Sequence, residues 1–257
     1  MTSIELTLLA IFGLMIGSFL NVCISRLPAG ESIVSPASRC PTCGKPIAWR
    51  DNIPVLGYLI LGGKCRNCRA PISLMYPAVE AVTAISFVAQ GVFFGDNLPL
   101  LAARLLFTAM LIVLFGTDLE TMRLPNVITY PGIAIGLALS LFLPPGIVAS
   151  IIGAAVGAAI PWTIRWVWYQ IKGVEAMGLG DVKMLAMIGA FLGWKQVWVV
   201  LFIASLTGAI VGIVVLKTRG RSLASRLPFG TFLAIAALLA SMVGEKLVAW
   251  YVGLYHY

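Results

Sequence analysis

Apolar residues along the chain fall into eight runs, separated by short polar turns and by one long polar loop. In chain order, the runs cover 4–27, 74–94, 98–117, 127–143, 147–169, 182–192, 197–216 and 229–252. Most runs approach the roughly 20 apolar residues that an α-helix needs to cross about 30 Å of hydrocarbon. The pattern predicts an all-α, polytopic membrane protein with about eight transmembrane helices. We expect three parts: a first transmembrane helix (1–27), a small loop domain (28–73) and a transmembrane core (74–257).

The sixth run is unusually short. At about 11 residues, it is well below the length needed to cross a bilayer as a helix. A "GLG" tripeptide at 178–180 and a carboxylate, Asp181, directly precede its first residue. Irregular backbone at membrane depth is tolerated only where protein or water satisfies its polar groups. We therefore expect a wet, protein-lined cavity near Asp181.

Composition agrees with a membrane protein, since 60% of the residues are hydrophobic and only 11% are charged. A soluble domain typically has about 25% charged residues. The net charge of +8 does not indicate a nucleic-acid partner. Lys and Arg accumulate in cytoplasmic loops and set membrane topology. With the loop of 28–73 in the cytoplasm, 14 basic residues fall inside and 3 outside, which predicts that both termini lie on the outer side of the lipid bilayer that surrounds the protein.

Two aspartates fall on the same side of the predicted membrane. Asp118 ends the third run and Asp181 begins the sixth, so two complete crossings separate them. Acidic residues in or beside membrane spans are costly and usually functional. The alternative for Asp181 is a simple N-terminal helix cap. Asp118 falls at a helix C-terminus, where the helix dipole disfavours an anion, so it calls for another explanation.

A pair of carboxylates provides that explanation. Two aspartates about 3 Å apart share one proton, because both cannot ionise readily. The ionised member can activate a water while the protonated member polarises a peptide carbonyl, which is general acid–base hydrolysis. The pair titrates as a unit, so neither member is assigned a fixed role. Gly178 and Gly180 carry no side chain and would let an extended substrate backbone approach.

Four cysteines form two C-x-x-C pairs in the polar loop, Cys40 with Cys43 and Cys65 with Cys68, separated by 21 residues. Two such knuckles build a tetrahedral S₄ site of the zinc-ribbon type. The reducing cytoplasm favours a metal over disulfides. A loop this small also cannot bury much of a core and needs a staple. We expect a structural zinc ion; a redox role for either pair and an iron site are the alternatives.

The "GLGDVK" stretch at 178–183 resembles the motif of the GxGD membrane aspartyl proteases, and among them the type 4 prepilin peptidases are most similar. Asp118 followed by "LPN" at 124–126 also resembles that family, as do "GSFLNVCISRLP" (17–28), "RDNIPVLGYL" (50–59) and "YPAVEAVTA" (76–84). The last two runs carry little that is diagnostic. The resemblance implies that Asp118 and Asp181 are catalytic and that Gly178, Gly180 and Lys183 belong to the active-site loop.

The resemblance also implies a substrate and a second activity. The family cleaves the leader from type IV prepilins or type II secretion pseudopilins at the cytoplasmic face of the bacterial inner membrane. Its long bacterial members carry the tetracysteine domain and methylate the new N-terminal amine with S-adenosylmethionine. The substrate would be a single hydrophobic N-terminal helix with a short leader. Because this chain has the cysteines, it is expected to be a bifunctional peptidase and N-methyltransferase.

The methyl-donor site is not located by any motif, since no G-x-G-x-x-G stretch occurs in a polar βαβ setting. Polar residues near the metal loop are the candidates: Asn21, Arg26, Asp51, Asn52 and Glu80. Glu80 lies within the second run, about a turn from its inner end, and an acid in the membrane requires a partner. Arg26 is one such partner, and a structural ion pair between two helices is the alternative to a methyl-transfer role.

Three other functions were weighed. A peptidase whose metal loop acts only as a scaffold would lack methyl transfer. A transporter with acidic residues at a broken helix is a different class, but the chain shows no inverted repeat, and a tetracysteine loop has no obvious use there. A purely structural membrane scaffold would not need two aspartates on one side. The sequence does not determine the oligomeric state or the particular pilin that is processed.

Overall fold

The computed structural model describes residues 1–174, 177–219 and 227–253, and this part of the chain contains helices and turns but no β-strand. The α-helices are α1 (Ser3–Arg26), α2 (Leu56–Ile60), α3 (Met75–Phe94), α4 (Leu98–Thr121), α5 (Asn126–Leu139), α6 (Ile147–Lys172), α7 (Leu179–Leu192), α8 (Trp194–Arg219) and α9 (Phe229–Gly253). Each of the eight apolar runs forms one helix of 14 residues or more, and the short helix α2 lies in the polar loop. The predicted all-α fold is confirmed.

Six of the long helices are long and apolar enough to cross a membrane, which makes the protein multi-pass. The other two, α5 and α7, have 14 residues each. At 1.5 Å per residue, such a helix extends about 21 Å, well short of the hydrocarbon thickness. The short sixth run is therefore confirmed as a short helix. The fourth run is shorter than predicted, because Leu141–Leu143 continue as turns ahead of Pro144 and Pro145.

The chain divides into two compact units, residues 1–113 and 114–257. In the first unit, α1 packs along α3. The two helices approach closely at Gly13 and Gly17, where a Cβ atom would lie 2.7 Å from the backbone of Ala84 and Glu80 respectively. Small residues at helix interfaces allow this kind of backbone contact within a membrane. These contacts hold α1 and α3 together at Gly13 and Gly17.

In the second unit, α7 is the central helix, and α5, α6, α8 and α9 pack around it. Every residue from Met184 to Leu192 is buried. A helix that is apolar on all sides belongs in such an interior. Its closest neighbour is α6, since a Cβ atom at Gly153 or Gly189 would collide with the backbone of the other helix. Asp181, in the first turn of α7, therefore lies at the entrance to the core of this unit.

Candidate active site and metal centre

Asp118 lies in the last turn of α4 and is buried, with 5% of its surface exposed. Thr231 donates its backbone N–H to Asp118 Oδ2 at 2.8 Å and its hydroxyl to the same oxygen at 3.2 Å. The backbone N–H of Gly230 also donates to this carboxylate. These amides belong to the first turn of α9, where N–H groups lack partners within the helix and the dipole favours an anion. The N-terminus of α9 thus compensates for the unfavourable position of Asp118 on α4.

Asp181 is the third residue of α7 and is half-buried. Its carboxylate accepts the backbone N–H of Gly178, the residue that caps this helix. A carboxylate three residues into a helix that bonds to the cap N–H forms half of a capping box. Asp181 therefore supports the start of α7 from its third position, while Gly178 is the N-cap residue. Capping does not exclude a catalytic role, because the single backbone bond leaves the carboxylate able to interact with other groups.

The two carboxylates share one environment in the second unit. Asp118 and Asp181 are close enough for their charges to interact. Leu124 lies beside both helix N-termini: a Cβ atom at Gly180 would be 3.0 Å from Leu124 Cβ, and one at Gly230 would be 3.1 Å from Leu124 Cδ1. The ends of α4, α7 and α9 therefore converge. The expectation that these two aspartates meet was based on counting membrane crossings, and the structure brings them together.

The remaining residues of the "GLGDVK" stretch position α7. Lys183 donates from Nζ to Asn126 Oδ1 at 2.9 Å, and its ammonium lies 5.1 Å from the centre of the Tyr130 ring. Both partners are on α5. Residues two apart on a helix do not share a face, so Lys183 and Asp181 point to different neighbours. Lys183 thus joins the first turn of α7 to α5.

Sequence analysis missed several residues that build this site. Gly230 and Thr231 hold Asp118, and Arg165 donates from Nη1 to the Met177 carbonyl at 2.9 Å, directly ahead of Gly178. One pattern could have found the first two: "FGT" at 229–231 opens the eighth run, on the same predicted side as Asp118. Gly and Thr are favoured at helix starts. The contact of Arg165 has no local sequence pattern.

The candidates for methyl transfer bond mainly to the protein itself. Asn21 donates from Nδ2 to the Tyr76 carbonyl at 3.0 Å, and Arg26 donates from Nη1 to the Ser32 carbonyl at 2.9 Å. Among the described residues, Arg26 forms no ion pair with Glu80. That suggested partnership is wrong, because the guanidinium of Arg26 turns instead to the loop that follows α1.

Glu80, on α3, has two other partners. Its carboxylate accepts the backbone N–H of Val55 at 2.7 Å and bonds to the Ser18 hydroxyl on α1. Val55 has a φ of 59°, and the N–H of Leu56 donates to the Pro54 carbonyl at 2.6 Å. A β-branched residue with positive φ in so tight a turn is strained and requires support from its surroundings. Glu80 therefore ties a strained loop segment to two membrane helices.

Asp51 and Asn52 lie in a short 3₁₀ helix, Trp49–Asn52, where Asn52 is exposed. Asp51 accepts two hydrogen bonds from Arg66, at 2.6 and 2.8 Å. These bonds hold the pKa of Asp51 below its usual range. Arg66 stands between Cys65 and Cys68, so this bidentate pair links the 3₁₀ helix to the cysteine cluster. Bidentate Arg–carboxylate pairs fix geometry as well as charge.

The four cysteines are close enough to bind a metal ion. The Sγ atoms of Cys40, Cys43, Cys65 and Cys68 all lie within 4.8 Å of one another, and those of Cys40 and Cys68 are 3.8 Å apart. Tetrahedral coordination with Zn–S bonds of about 2.3 Å requires sulfur–sulfur distances of about 3.8 Å. The arrangement therefore fits a tetrahedral metal with four thiolate ligands.

The two knuckles repeat each other with an offset of 25 residues. The N–H of Cys40 donates to the Lys45 carbonyl at 2.9 Å, and that of Cys65 donates to the Ala70 carbonyl at 2.8 Å. Each knuckle is closed by an isolated β-bridge and turns through a residue with positive φ; the bridges are Arg39 with Pro46 and Lys64 with Pro71, and the positive-φ residues are Gly44 and Arg69. Two matching knuckles facing each other give the expected zinc-ribbon-like arrangement.

Backbone amides favour the thiolate form of two of the four cysteines, Cys40 and Cys65. The N–H groups of Cys43 and Thr42 lower the pKa of Cys40 to about 6. The N–H groups of Cys68 and Asn67 likewise lower the pKa of Cys65. Metals bind the thiolate form, so a lowered thiol pKa favours metal binding at neutral pH.

Comparison with known proteins shows the family to which the chain is related. Residues 11–94 match the bacterial peptidase A24 N-terminal domain, and residues 105–213 match the type IV leader peptidase family. A prepilin leader peptidase/N-methyltransferase of Aeromonas hydrophila is 38% identical, over 95% of this chain and 93% of its own length. The protein of that name from Pseudomonas aeruginosa is 35% identical, over 94% and 91% respectively. No solved structure matches. The chain belongs to the type IV leader peptidase family.

Proposed function

We propose that this protein is a membrane-embedded aspartic endopeptidase that removes the leader peptide from type IV prepilins or type II secretion pseudopilins. The observation that carries the proposal is that Asp118 and Asp181 are close enough for their charges to interact, in a chain whose relatives are named prepilin leader peptidases. Acidic residues in or beside membrane spans are costly and usually functional, and two that interact with each other fit a catalytic pair.

The reaction uses one proton shared by the pair. As the water oxygen attacks the scissile carbonyl carbon, the ionised carboxylate takes a proton from the water, and the protonated one gives its proton to the carbonyl oxygen. The tetrahedral intermediate then breaks its C–N bond. The leaving nitrogen takes a proton from one carboxyl group while the other carboxylate takes a hydroxyl proton from the intermediate. The pair ends with one proton, as it began.

The substrate backbone would lie along the start of α7. Gly178 is the cap of this helix, and no side chain at Gly178 or Gly180 blocks an approaching strand. The family resemblance supports a cut near the membrane surface, ahead of a hydrophobic N-terminal helix of the substrate. The distribution of basic residues supports a cytoplasmic location for the active site and the loop of 28–73, with both termini in the periplasm of a bacterial inner membrane.

Zinc is the metal proposed for Cys40, Cys43, Cys65 and Cys68. The sulfur–sulfur distance of 3.8 Å fits its tetrahedral thiolate geometry. Four protein ligands leave no open coordination position, so the ion is structural and takes no part in hydrolysis. The region 28–73 would then be a metal-stapled domain, between the first transmembrane helix (1–27) and the peptidase core (74–257).

N-methylation of the new N-terminus, with S-adenosylmethionine as the donor, is the second proposed activity, on the strength of the relatives' names. The five candidate residues give it little further support. Asn21, Arg26, Asp51 and Glu80 are bonded to other parts of the protein rather than grouped around a cavity. Asn52 is exposed. These contacts support structural roles, and we assign no residue to the donor and derive no step through it.

Replacing either aspartate tests the peptidase proposal. Asp118→Asn and Asp181→Asn should each lower the rate of leader removal by roughly 10²–10⁴-fold or more, because general acid–base catalysis by the pair is lost. Mass spectrometry of a purified prepilin incubated with each detergent-solubilised variant measures cleavage. Asp96→Asn is the control, since Asp96 is exposed in the turn before α4, at the opposite end of that helix. Normal cleavage by either test variant would remove that aspartate from the mechanism.

The same mass spectra report methyl transfer when S-adenosylmethionine is added. A cleaved product heavier by one methyl group supports the bifunctional enzyme. A cleaved product without the methyl group favours a peptidase whose metal domain is only a scaffold.

A further inference from the structure

In the first turn of α9, Thr231 holds one oxygen of the Asp118 carboxylate. Thr231 contributes two donors, its N–H at 2.8 Å and its hydroxyl at 3.2 Å, and both reach Oδ2. Neither bond uses Oδ1. Thr231 is itself buried, with 7% of its surface exposed, so water does not readily replace it as a donor. The side chain of Asp118 is thereby fixed in one orientation relative to α9.

Gly230 brings α9 close enough for these bonds. A Cβ atom at this position would lie 2.9 Å from Asp118 Oδ2 and 3.1 Å from Leu124 Cδ1. The space that a side chain would occupy is instead filled by the carboxylate. This close approach lets the N–H groups of Gly230 and Thr231, which lack partners within the helix, donate to the carboxylate. The contact joins residues that are 113 positions apart in the chain.

We propose that Thr231 is a positioning residue for peptide hydrolysis, and that its hydroxyl fixes the orientation in which the Asp118 carboxyl group exchanges a proton during the reaction. This inference rests on the proposed function of the aspartate pair. Thr231 does not touch the substrate or the water. Its hydroxyl donates to Oδ2 and so restricts the rotation of the carboxyl group. Pre-oriented groups of this kind accelerate chemistry because no reorganisation is needed during the reaction.

The comparison of Thr231→Val with Thr231→Ser isolates the hydroxyl. Valine has the shape of threonine without the donor, while serine keeps the donor and loses a methyl group. The backbone N–H bond remains in both variants. A hydrogen bond to a charged group corresponds to roughly a ten- to hundredfold effect. We expect Thr231→Val to lower kcat by that factor with KM changed less than about threefold, and Thr231→Ser to retain most of the wild-type kcat.

Thr207→Val is the matched control. The Thr207 hydroxyl donates to the Ile203 carbonyl of its own helix at 2.7 Å, so this variant loses a bond within α8 that involves neither aspartate. It should cleave prepilin at the wild-type rate. Melting temperatures in detergent show whether each variant is folded. Thr231→Ala is measured as well. It also lacks the hydroxyl, so the comparison with serine does not require the site to accommodate a valine side chain.

Two results would overturn the inference. One is a wild-type kcat in Thr231→Val and Thr231→Ala. The other is an equal loss in Thr231→Ser and Thr231→Val, which would mean that the methyl group matters rather than the donor. Asp118→Asn in the same assay separates this failure from that of the proposed function. If Asp118→Asn is inactive while the threonine variants are normal, the aspartate pair stands and only the role of Thr231 is lost.

Discussion

At the scale of single residues, the contact with α9 explains how Asp118 can occupy an otherwise costly position. The C-terminal end of α4 repels an anion, and burial removes most of its water. The N-terminus of α9 supplies the missing donors, so that two helix ends of opposite polarity meet at one carboxylate. This arrangement depends on a glycine, because a Cβ atom at Gly230 would lie too close to Asp118 Oδ2.

Gly230→Ala should therefore damage the site directly. Its Cβ would lie 2.9 Å from Asp118 Oδ2, and the carboxylate cannot withdraw without breaking the bonds from Thr231. We expect the rate of prepilin cleavage to fall at least tenfold, equivalent to about 1.4 kcal/mol of lost transition-state stabilisation. Cleavage assays on purified enzyme measure the effect.

Gly253→Ala is the control for Gly230→Ala. Gly253 lies on the same helix, and a Cβ atom there would meet nothing within 4 Å. It should leave cleavage unchanged. Wild-type activity in the Gly230→Ala variant would show that the contact between α9 and Asp118 is not tight enough to matter.

Individual residues were predictable only where their chemistry stands out from the sequence around them. Asp118 and Asp181 are rare carboxylates at the edges of apolar runs, so cost alone marks them as functional. Thr231 is an ordinary helix-start residue, and its bond to a residue 113 positions away follows from the tertiary packing. The partner of Glu80 was mispredicted for a similar reason. An opposite charge was expected, whereas the structure uses a backbone N–H exposed by the strained turn at Val55.

At the scale of helices, the short α7 is stable because neighbours cover it on all sides. Its contact with α6 is the tightest in the second unit, where Gly153 and Gly189 oppose each other and let the two backbones touch. Close backbone approach at small residues is the main route to strong helix association in membranes. The position of Asp181 at the start of α7 depends on this packing.

Gly189→Ala should destabilise the protein. The new Cβ would collide with the Gly153 carbonyl, and because both partners are backbone atoms, the two helices must separate. Overpacking of this kind typically costs about 1–3 kcal/mol, and we expect a lower melting temperature in detergent. Gly208→Ala on α8 is the control, because its Cβ would make only ordinary contacts, beginning at 3.6 Å from Phe232. Equal melting temperatures for both variants would contradict the packing argument.

Helices were the most predictable elements, because an apolar run of sufficient length has few alternatives in a membrane. The length of the sixth run correctly predicted a helix too short to cross. The end of the fourth was misjudged, since hydropathy continues to Leu143 while the helix ends at Leu139. The two prolines at 144–145 explain the difference, because a residue before proline is disfavoured in helical conformation.

At the scale of the whole molecule, the two sites belong to different parts of the chain. The aspartates and the residues that hold them lie in the unit 114–257, and the cysteines lie in the unit 1–113. The loop of 28–73 has almost no core of its own, since Cys40 and Gly57 are its only buried residues. Apolar burial therefore cannot hold this region together, and the cysteine cluster must.

Removing the metal should unfold this loop selectively. Structural zinc contributes about 10–16 kcal/mol in zinc-finger peptides, far more than two buried residues could. A Cys65→Ser, Cys68→Ser double variant should lose its bound zinc, and proteolytic cuts should appear within 28–73. Metal analysis and limited proteolysis measure both effects. Cys23→Ser, on α1, should keep one zinc per chain and resist cleavage. Full zinc content in the double variant would refute the four-thiolate site.

The buried length of α7 has a consequence for the membrane itself. An enzyme that admits water to split a peptide bond inside a bilayer risks opening a path along which protons could leak. Beyond Asp181, the nine consecutive buried residues from Met184 to Leu192 extend for about 14 Å and are surrounded by other helices. We expect this column to exclude water on the far side of the aspartates. A proton gradient would then be kept while hydrolysis proceeds on the other side.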